Sequence, residues 1–294
     1  MRISSVQPYN NLLQGINQQQ ELRTKANANI AAGTRFQTPA QAGLDYKLSL
    51  DLRQMRTVET NAGAAIGVAE SRLSVTQNTL MDIEKVMARA QVLAVQLSTA
   101  TVGSAGRAAS SAEVGHLLDQ VTQDANKNYN GQYIFSGTAT DVKPWTVDSA
   151  AGTAAYHGSA TARTVQITET QSVVSNELGN DRAFSNSFNA LMELYHGLQS
   201  NDVAKIQSSL GHLNTARDQV VRLDTHAGAK FAALQTIKAS HQDMKTSLDQ
   251  RINTHEAVDV PKLVTEIQLS DVALQATYKQ ISTMRSLSLV NFLR

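Results

Sequence analysis

The sequence predicts a mainly α protein with a small β insertion. Both ends of the chain would build a long antiparallel helical coiled-coil bundle, and the middle a short β-rich outer domain. Three observations carry this. Aromatic residues are only 5% of the 294 residues, and without their large buried areas a chain favours thin helix-on-helix layers over a thick core. From Ala62 the apolar positions alternate four and three apart without a break to Leu97, which is the heptad seam of a coiled coil. From Gln132 to about Gln171 the texture changes to Thr, Val, Gly and aromatics, with short alternating runs, as in strands.

The first helix carries Ile3, Val6, Leu13 and Ile16 at helical spacing. Pro8 is tolerable only in its first turn or as a kink. The helix should reach Ala32, with Gly33 in the left-handed position after the last turn. After the loop "GTRFQTP", Thr38 can cap, Pro39 suits the first helical position, and Gln41 can reach back to the cap amide. The next helix would run unbroken from Pro39 to Thr101, about 95 Å at 1.5 Å per residue. Its seam is Ala62, Ile66, Ala69, Leu73, Thr76, Leu80, Ile83, Met87, Ala90, Ala94 and Leu97. "VGSAG" at Val102 to Gly106 breaks it, and Ser110 with Glu113 reads as a capping box opening a helix to about Tyr129. Asn130-Gly131 is a turn signal.

The β insertion should hold four to six short strands. It contains the single tryptophan, Trp145, and is too small for an independent core, so it must lean on helices or neighbours. Helix returns near Phe184. Asn201-Asp202 caps a second long helix to about His255, with Ile206, Leu210, Leu213, Val220, Ala227, Phe231, Leu234, Met244, Leu248 and Ile252 on its seam. Asp259-Val260-Pro261 breaks it, and a last helix runs to the C-terminal end of the sequence. The expected divisions are 1–38 and 258–294 for the terminal helices, 39–131 and 184–257 for the two halves of the long helical region, and 132–183 for the β region.

Several function classes are poorly supported. With no cysteine there are no disulfides, thiol nucleophiles or Cys-based zinc sites. A net charge of +1 gives no global case for nucleic acid or an anionic membrane, and no apolar run approaches the ~20 residues of a membrane span. His212, His226, His241 and His255 recur every 14 or 15 residues, but that places them about 21 Å apart along a helix, too far to share one ion. His116, His157 and His196 have no ligand-spaced partner. Asp82/Glu84 and Glu256/Asp259 need no catalytic explanation. "VGSAG" joins two helices and lacks the Lys-Ser/Thr of a phosphate loop. The expectation is therefore no enzyme, no metal and no cofactor.

What remains is the two ends. On the last helix Leu274, Tyr278 and Ile281 share a face, and Met284 and Leu287 drift round from it. Leu289, Val290, Phe292 and Leu293 fill much of the circumference. A helix apolar on most sides needs to be surrounded, and one partner helix cannot do that. These residues, with Ile3, Val6, Leu13 and Ile16, form the expected assembly interface, buried by several copies together.

These are also the residues where the chain resembles the bacterial flagellin superfamily, and within it the hook-associated proteins of the hook–filament junction. "MRIS" is similar to that opening, and "IAAGTRFQTPAQAG" (Ile30 to Gly43) to its I-x-x-G-x-R-x-x-x-P element. "NGQYIFSGT" (Asn130 to Thr138) resembles the junction branch at the start of its β domain, on Tyr133, Ile134, Phe135 and Gly137. Tyr156-His157-Gly158 fits a further Y-x-G, and "ALQATYKQISTMRSLSLVNFL" resembles the C-terminal helix. After Pro39, Ala40-Gln41-Ala42 stands where the family commonly has an acidic pair. The resemblance implies a flagellin-like fold and a structural, non-catalytic subunit of the extracellular flagellum. It implies export by the flagellar type III apparatus without a cleaved signal peptide, with an export chaperone on the C-terminal helix, and absence of cysteine suits such a route. Implied partners are further copies of the chain, the first hook-associated protein and flagellin, with no nucleic acid and no membrane insertion. A filament flagellin and a coiled-coil type III secreted protein are the alternatives.

Overall fold

The computed structural model describes residues 6–99, 102–168 and 170–292, with the backbone alone at 6, 41 and 286–292. The elements in chain order are helices α1 (Val6–Ala32), α2 (Pro39–Ala42), α3 (Leu44–Leu97) and α4 (Ser104–Ala125); strands β1 (Asn128–Tyr129), β2 (Gln132–Tyr133), β3 (Trp145–Asp148), β4 (Thr153–Tyr156), β5 (Thr164–Gln166) and β6 (Ser172–Val174); and helices α5 (Arg182–Gln199), α6 (Val203–Glu256) and α7 (Val260–Phe292). They form two compact units, Met1–Val58 with Met244–Arg294, and Glu59–Asp243. Helices α3 and α6 contribute to both.

In the unit of residues 59–243, α3 and α6 run antiparallel. Lys238 pairs with Glu70 at 2.5 Å and Arg217 with Glu84 at 2.9 Å, while Gln91 donates to Asn214 at 2.9 Å. The expected α3 seam is buried from Ile66 to Leu97. It joins α4, α5 and the α6 residues Ile206, Leu213, Val220, Ala227 and Leu234 in one apolar cluster. The strands form three two-stranded antiparallel hairpins. They lean on the helices, as their size requires: Ile134, Phe135 and Trp145 enter the helical cluster itself. Asn130 and Gly131 both have positive φ and make the β1–β2 turn, the geometry that Asn-Gly favours.

The unit containing both terminal segments is thinner. Among the described residues its apolar cluster is Leu52, Leu248 and Ile252. Helices α1 and α7 pack together in antiparallel order, with Gln20 near Tyr278 and Gly33 near Val258.

Four local expectations are corrected. The helix from Pro39 is not continuous: α2 ends at Ala42, Gly43 adopts φ 53, and α3 restarts at Leu44. The helix expected to reach Thr101 ends at Leu97, and α4 already opens at Ser104 with Gly103 as its cap, so Ser104 to Gly106 belong to helix rather than to the break. Ser110 lies inside that helix, and Glu113 pairs with Arg89 at 2.5 Å. Helix α4 ends at Ala125, short of Tyr129, because 128–129 pair as strand. Met244 is 52% exposed, off the seam that Leu248 and Ile252 continue. Thr38 sits at the cap position of α2 without a side-chain bond, with Pro39 following; the Gln41 side chain and Thr101 lie outside the described residues. Asp202 accepts from the Lys205 amide at 3.1 Å, the cap expected there, and within the expected break at 259–261 Asp259 accepts from the Lys262 amide at 3.1 Å and caps α7.

Candidate assembly interface

The terminal pair is held by a seam of the coiled-coil kind. On α7 the covered positions are Leu263, Ile267, Ser270, Leu274, Thr277, Ile281 and Met284, spaced alternately four and three. The matching face of α1 runs through Tyr9, Leu12, Ile16, Gln19, Ala26 and Ile30. Polar contacts flank it. Arg23 pairs with Asp271 at 3.0 Å, Ser270 donates to the Gln19 carbonyl at 3.2 Å, and Gln20 donates to the Tyr278 hydroxyl at 3.3 Å. The Arg23 pair is exposed on both sides and adds little. Apolar contact along the seam holds the helices together.

The predicted interface residues therefore divide. Ile16 and Leu274 are buried inside the pair, and Ile281 and Met284 are half-buried along the same seam. Tyr278 is exposed, and Leu13 is 39% exposed at the margin of the α1 face that carries Ile16, with Leu12 half-buried beside it. Val6, Leu287, Leu289, Val290 and Phe292 lie on described helix, but their side chains do not belong to the described set. Ile3 and Leu293 are outside the described residues.

Sequence reasoning missed a second apolar face on α7. Leu269 is 65% exposed and Val272 64%. At 100° per residue both lie, with Ala276, opposite the seam. Leu22 of α1 is exposed as well, and it lines with Ala26, Ile267, Leu269 and Ala273 a groove of about 520 Å³ along the pair. The signal was in the sequence: Leu269, Val272 and Ala276 repeat the three-and-four spacing one half-turn away from Leu274 and Ile281.

The β-region motif is internal, with Ile134, Phe135 and Gly137 buried and Tyr133 half-buried. The Phe135 ring meets Phe184 edge-on with centroids 4.7 Å apart, and its carbonyl accepts from the Tyr156 hydroxyl at 3.0 Å and the Gly179 amide at 2.8 Å. Burial pushes the Tyr156 hydroxyl above its ordinary pKa, against the opposing effect of the Gly179 backbone. The Trp145 indole donates to the Gly179 carbonyl at 3.1 Å, and its ring packs on Phe188 and Tyr156. Tyr133 anchors the hairpin through its amide, which donates to Thr140 at 2.8 Å. Gly137 has φ 63, and a Cβ there would meet the Ser159 carbonyl and, at 2.8 Å, that of Thr161.

Chemistry-bearing groups are dispersed. Glu193 receives Ser208 at 2.6 Å and faces His212 at 2.5 Å, so serine and histidine both bond the carboxylate and no Ser–His nucleophile pair exists there. Burial pushes Glu193 up, but Ser208 and His212 outweigh it and hold its pKa below the ordinary glutamate value. His241 pairs with Glu59 at 2.5 Å. Among the described residues no group of three or more His, Asp or Glu is arranged around a metal position, and no described helix is long and apolar enough to cross a membrane.

Comparison with known proteins matches residues 3–140 to the bacterial flagellin N-terminal helical region. Flagellar hook-associated protein 3 of Salmonella typhimurium is 24% identical, with 98% of each chain covered. The protein of the same name from Escherichia coli is 22% identical over the same shares. Among solved structures, Bacillus cereus FlgL has the same fold with a TM-score of 0.60 at 20% identity, covering 69% of this chain and 99% of that one. These relatives are structural flagellar proteins, not enzymes.

Proposed function

We propose that this chain, which resembles flagellar hook-associated protein 3 over 98% of its length, is a structural subunit of the bacterial flagellum that forms the junction ring between hook and filament. It assembles through its terminal helices. In the ring it would meet copies of itself, the first hook-associated protein on the hook side and flagellin on the filament side. It would reach that extracellular position through the flagellar type III apparatus, without a cleaved signal peptide and with a chaperone on α7.

The observation that carries the assembly reading is the two-sided α7. Its Leu274 face is covered by α1, while Leu269 and Val272 stand open on the other side. Burying one such side chain contributes roughly 1.5–3 kcal/mol, so a helix with two apolar faces and one partner retains a strong drive toward a second. Leu13 and Tyr278 are exposed at the opposite margin of the pair from Leu22 and Leu269. Filament flagellin is the second reading, favoured by the match of residues 3–140 to the flagellin N-terminal region. The "NGQYIFSGT" segment and the end-to-end match to hook-associated protein 3 weigh against it.

Deleting the coding sequence decides between them. A junction subunit leaves hooks without filaments and flagellin monomer in the medium. Cells that keep filaments, shortened or sparse, would sink the junction reading.

A further inference from the structure

We propose that Glu256 is a positioning residue: a buried carboxylate clamp that fixes the direction in which the α1–α7 pair leaves the first turns of α3 and the last turns of α6. The observations lie within one compact unit. The segments joining α1 to α2 and α6 to α7 meet in a single antiparallel bridge, Thr34 with Ala257. The Arg35 amide donates to the Glu256 carbonyl at 2.8 Å and the Val258 amide to that of Gly33 at 3.3 Å. This is a short link for two helices of 27 and 33 residues. Glu256 reinforces it. It is the last residue of α6, where the helix dipole disfavours a negative charge, and it is only 7% exposed. Both its oxygens are nonetheless engaged from α3: Arg53 Nε donates to Oε1 at 2.8 Å, Arg53 Nη2 to Oε2, and the Ser49 hydroxyl to Oε1. A bidentate guanidinium fixes orientation as well as distance. On the adjoining side Phe36 is buried between the Tyr46 and His255 rings, with centroids 6.2 and 5.8 Å away. Asn29 ties the end of α1 to the Arg35 carbonyl at 3.0 Å. Backbone bridge, aromatic plug and carboxylate clamp converge on one joint, and the clamp alone bonds directly across to α3 by charge.

The importance of a fixed direction for ring building rests on the proposed function; the clamp itself is measured on the isolated chain. Since the chain has no cysteine, the pair Lys25→Cys and Gln54→Cys puts spin labels on α1 and α3 alone. The chain with Glu256 and Arg53 intact should give one narrow interlabel distance by double electron–electron resonance. Glu256→Gln, which keeps the shape and loses the charge, and Arg53→Ala should each broaden the distribution about twofold or more, with far-UV circular dichroism unchanged. Asp249→Ala, which removes the exposed Arg56 pair on the same helices, should leave it narrow. Distributions that stay narrow in both clamp variants overturn the proposal. So does equal broadening in Asp249→Ala, or broadening accompanied by loss of helix. If the clamp variants broaden while ring formation in cells is untouched, the joint stands and its role in assembly falls.

Discussion

At Gly137 the backbone conformation and the space around it make the same demand. Its φ of 63 disfavours any side chain, and the Ser159 and Thr161 carbonyls occupy the space a Cβ would need. Gly137→Ala should cost about 2–4 kcal/mol, read as a lower urea midpoint for the β region with the tryptophan fluorescence of Trp145 as probe. An unchanged midpoint would mean that the 136–161 loop adapts freely. Glu256 makes a pH-dependent prediction. The Arg53 hydrogen bond holds its carboxyl below the ordinary glutamate value of 4.5; burial opposes this, and Ser49 assists it. A folded pKa below the unfolded one means stability that is present above pH 4.5 and lost as pH falls through the folded value. Stability should therefore drop more steeply below pH 4.5 in the parent chain than in Glu256→Gln, in parallel denaturant titrations; equal slopes would refute the assignment. Asp224 has the opposite sign. Burial, then the Glu84 charge, pushes its pKa up, and its Oδ1 is buried without a partner. Asp224→Asn should leave the melting temperature equal or higher at pH 7, and a fall would show that the carboxylate contributes a favourable interaction.

Among the elements, α3 was the most legible, because a seam at fixed spacing survives any local variation. Helix α1 was less so. Leu12 and Leu13 are adjacent leucines, and which one faces α7 depends on the register of a partner far away in sequence, which apolar spacing does not encode. The break at Gly43 was likewise hidden: a capping signal at Thr38-Pro39 announces a helix start but says nothing of how long the helix lasts. The second face of α7 is readable in principle, at Leu269, Val272 and Ala276, but three apolar residues over eight positions are a weaker pattern than the dense apolar run after Ser286. Both faces make predictions. Removing 286–294 should block polymerisation while leaving circular dichroism of the unit 59–243 intact, because that segment belongs to the other compact unit. Leu269→Ser with Val272→Ser should do the same without shortening the chain. The seam of the pair is untouched by those two changes, so normal incorporation of the double variant into flagella would show that the open face is not an assembly surface.

For the whole molecule, the sequence legibly divides into helical arms and a β insertion, but the unequal strength of the two compact units does not show in it. Leu44, Leu48, Met55 and Val58 have the helical spacing of a buried stripe, and on sequence alone they continue the seam that begins at Ala62. In the unit 59–243, α4 and α5 complete a bundle over the seam, and Leu73, Leu80 and Met87 are fully buried. In the other unit no such pair follows, and the same stripe stays open, Leu44 at 84%. Periodicity records that a residue could be covered; a third and fourth helix decide whether it is. The consequence is a graded stability along α3 and α6, each a single 54-residue helix. Local opening follows the density of buried apolar contact, so amides of α1, α7, 44–58 and 244–256 should exchange through openings of low free energy. Those of 66–97, α4, α5 and 206–234 should exchange only near the global limit. Native-state hydrogen exchange on the dilute chain reads this directly, with a change of protection expected inside α3 rather than at its ends. Assembly should raise protection selectively in the first group, since surfaces supplied by neighbours would cover what the isolated chain leaves open. Uniform protection along α3 in the isolated chain would refute the gradient, and protection unchanged on assembly would remove the terminal helices from the interface.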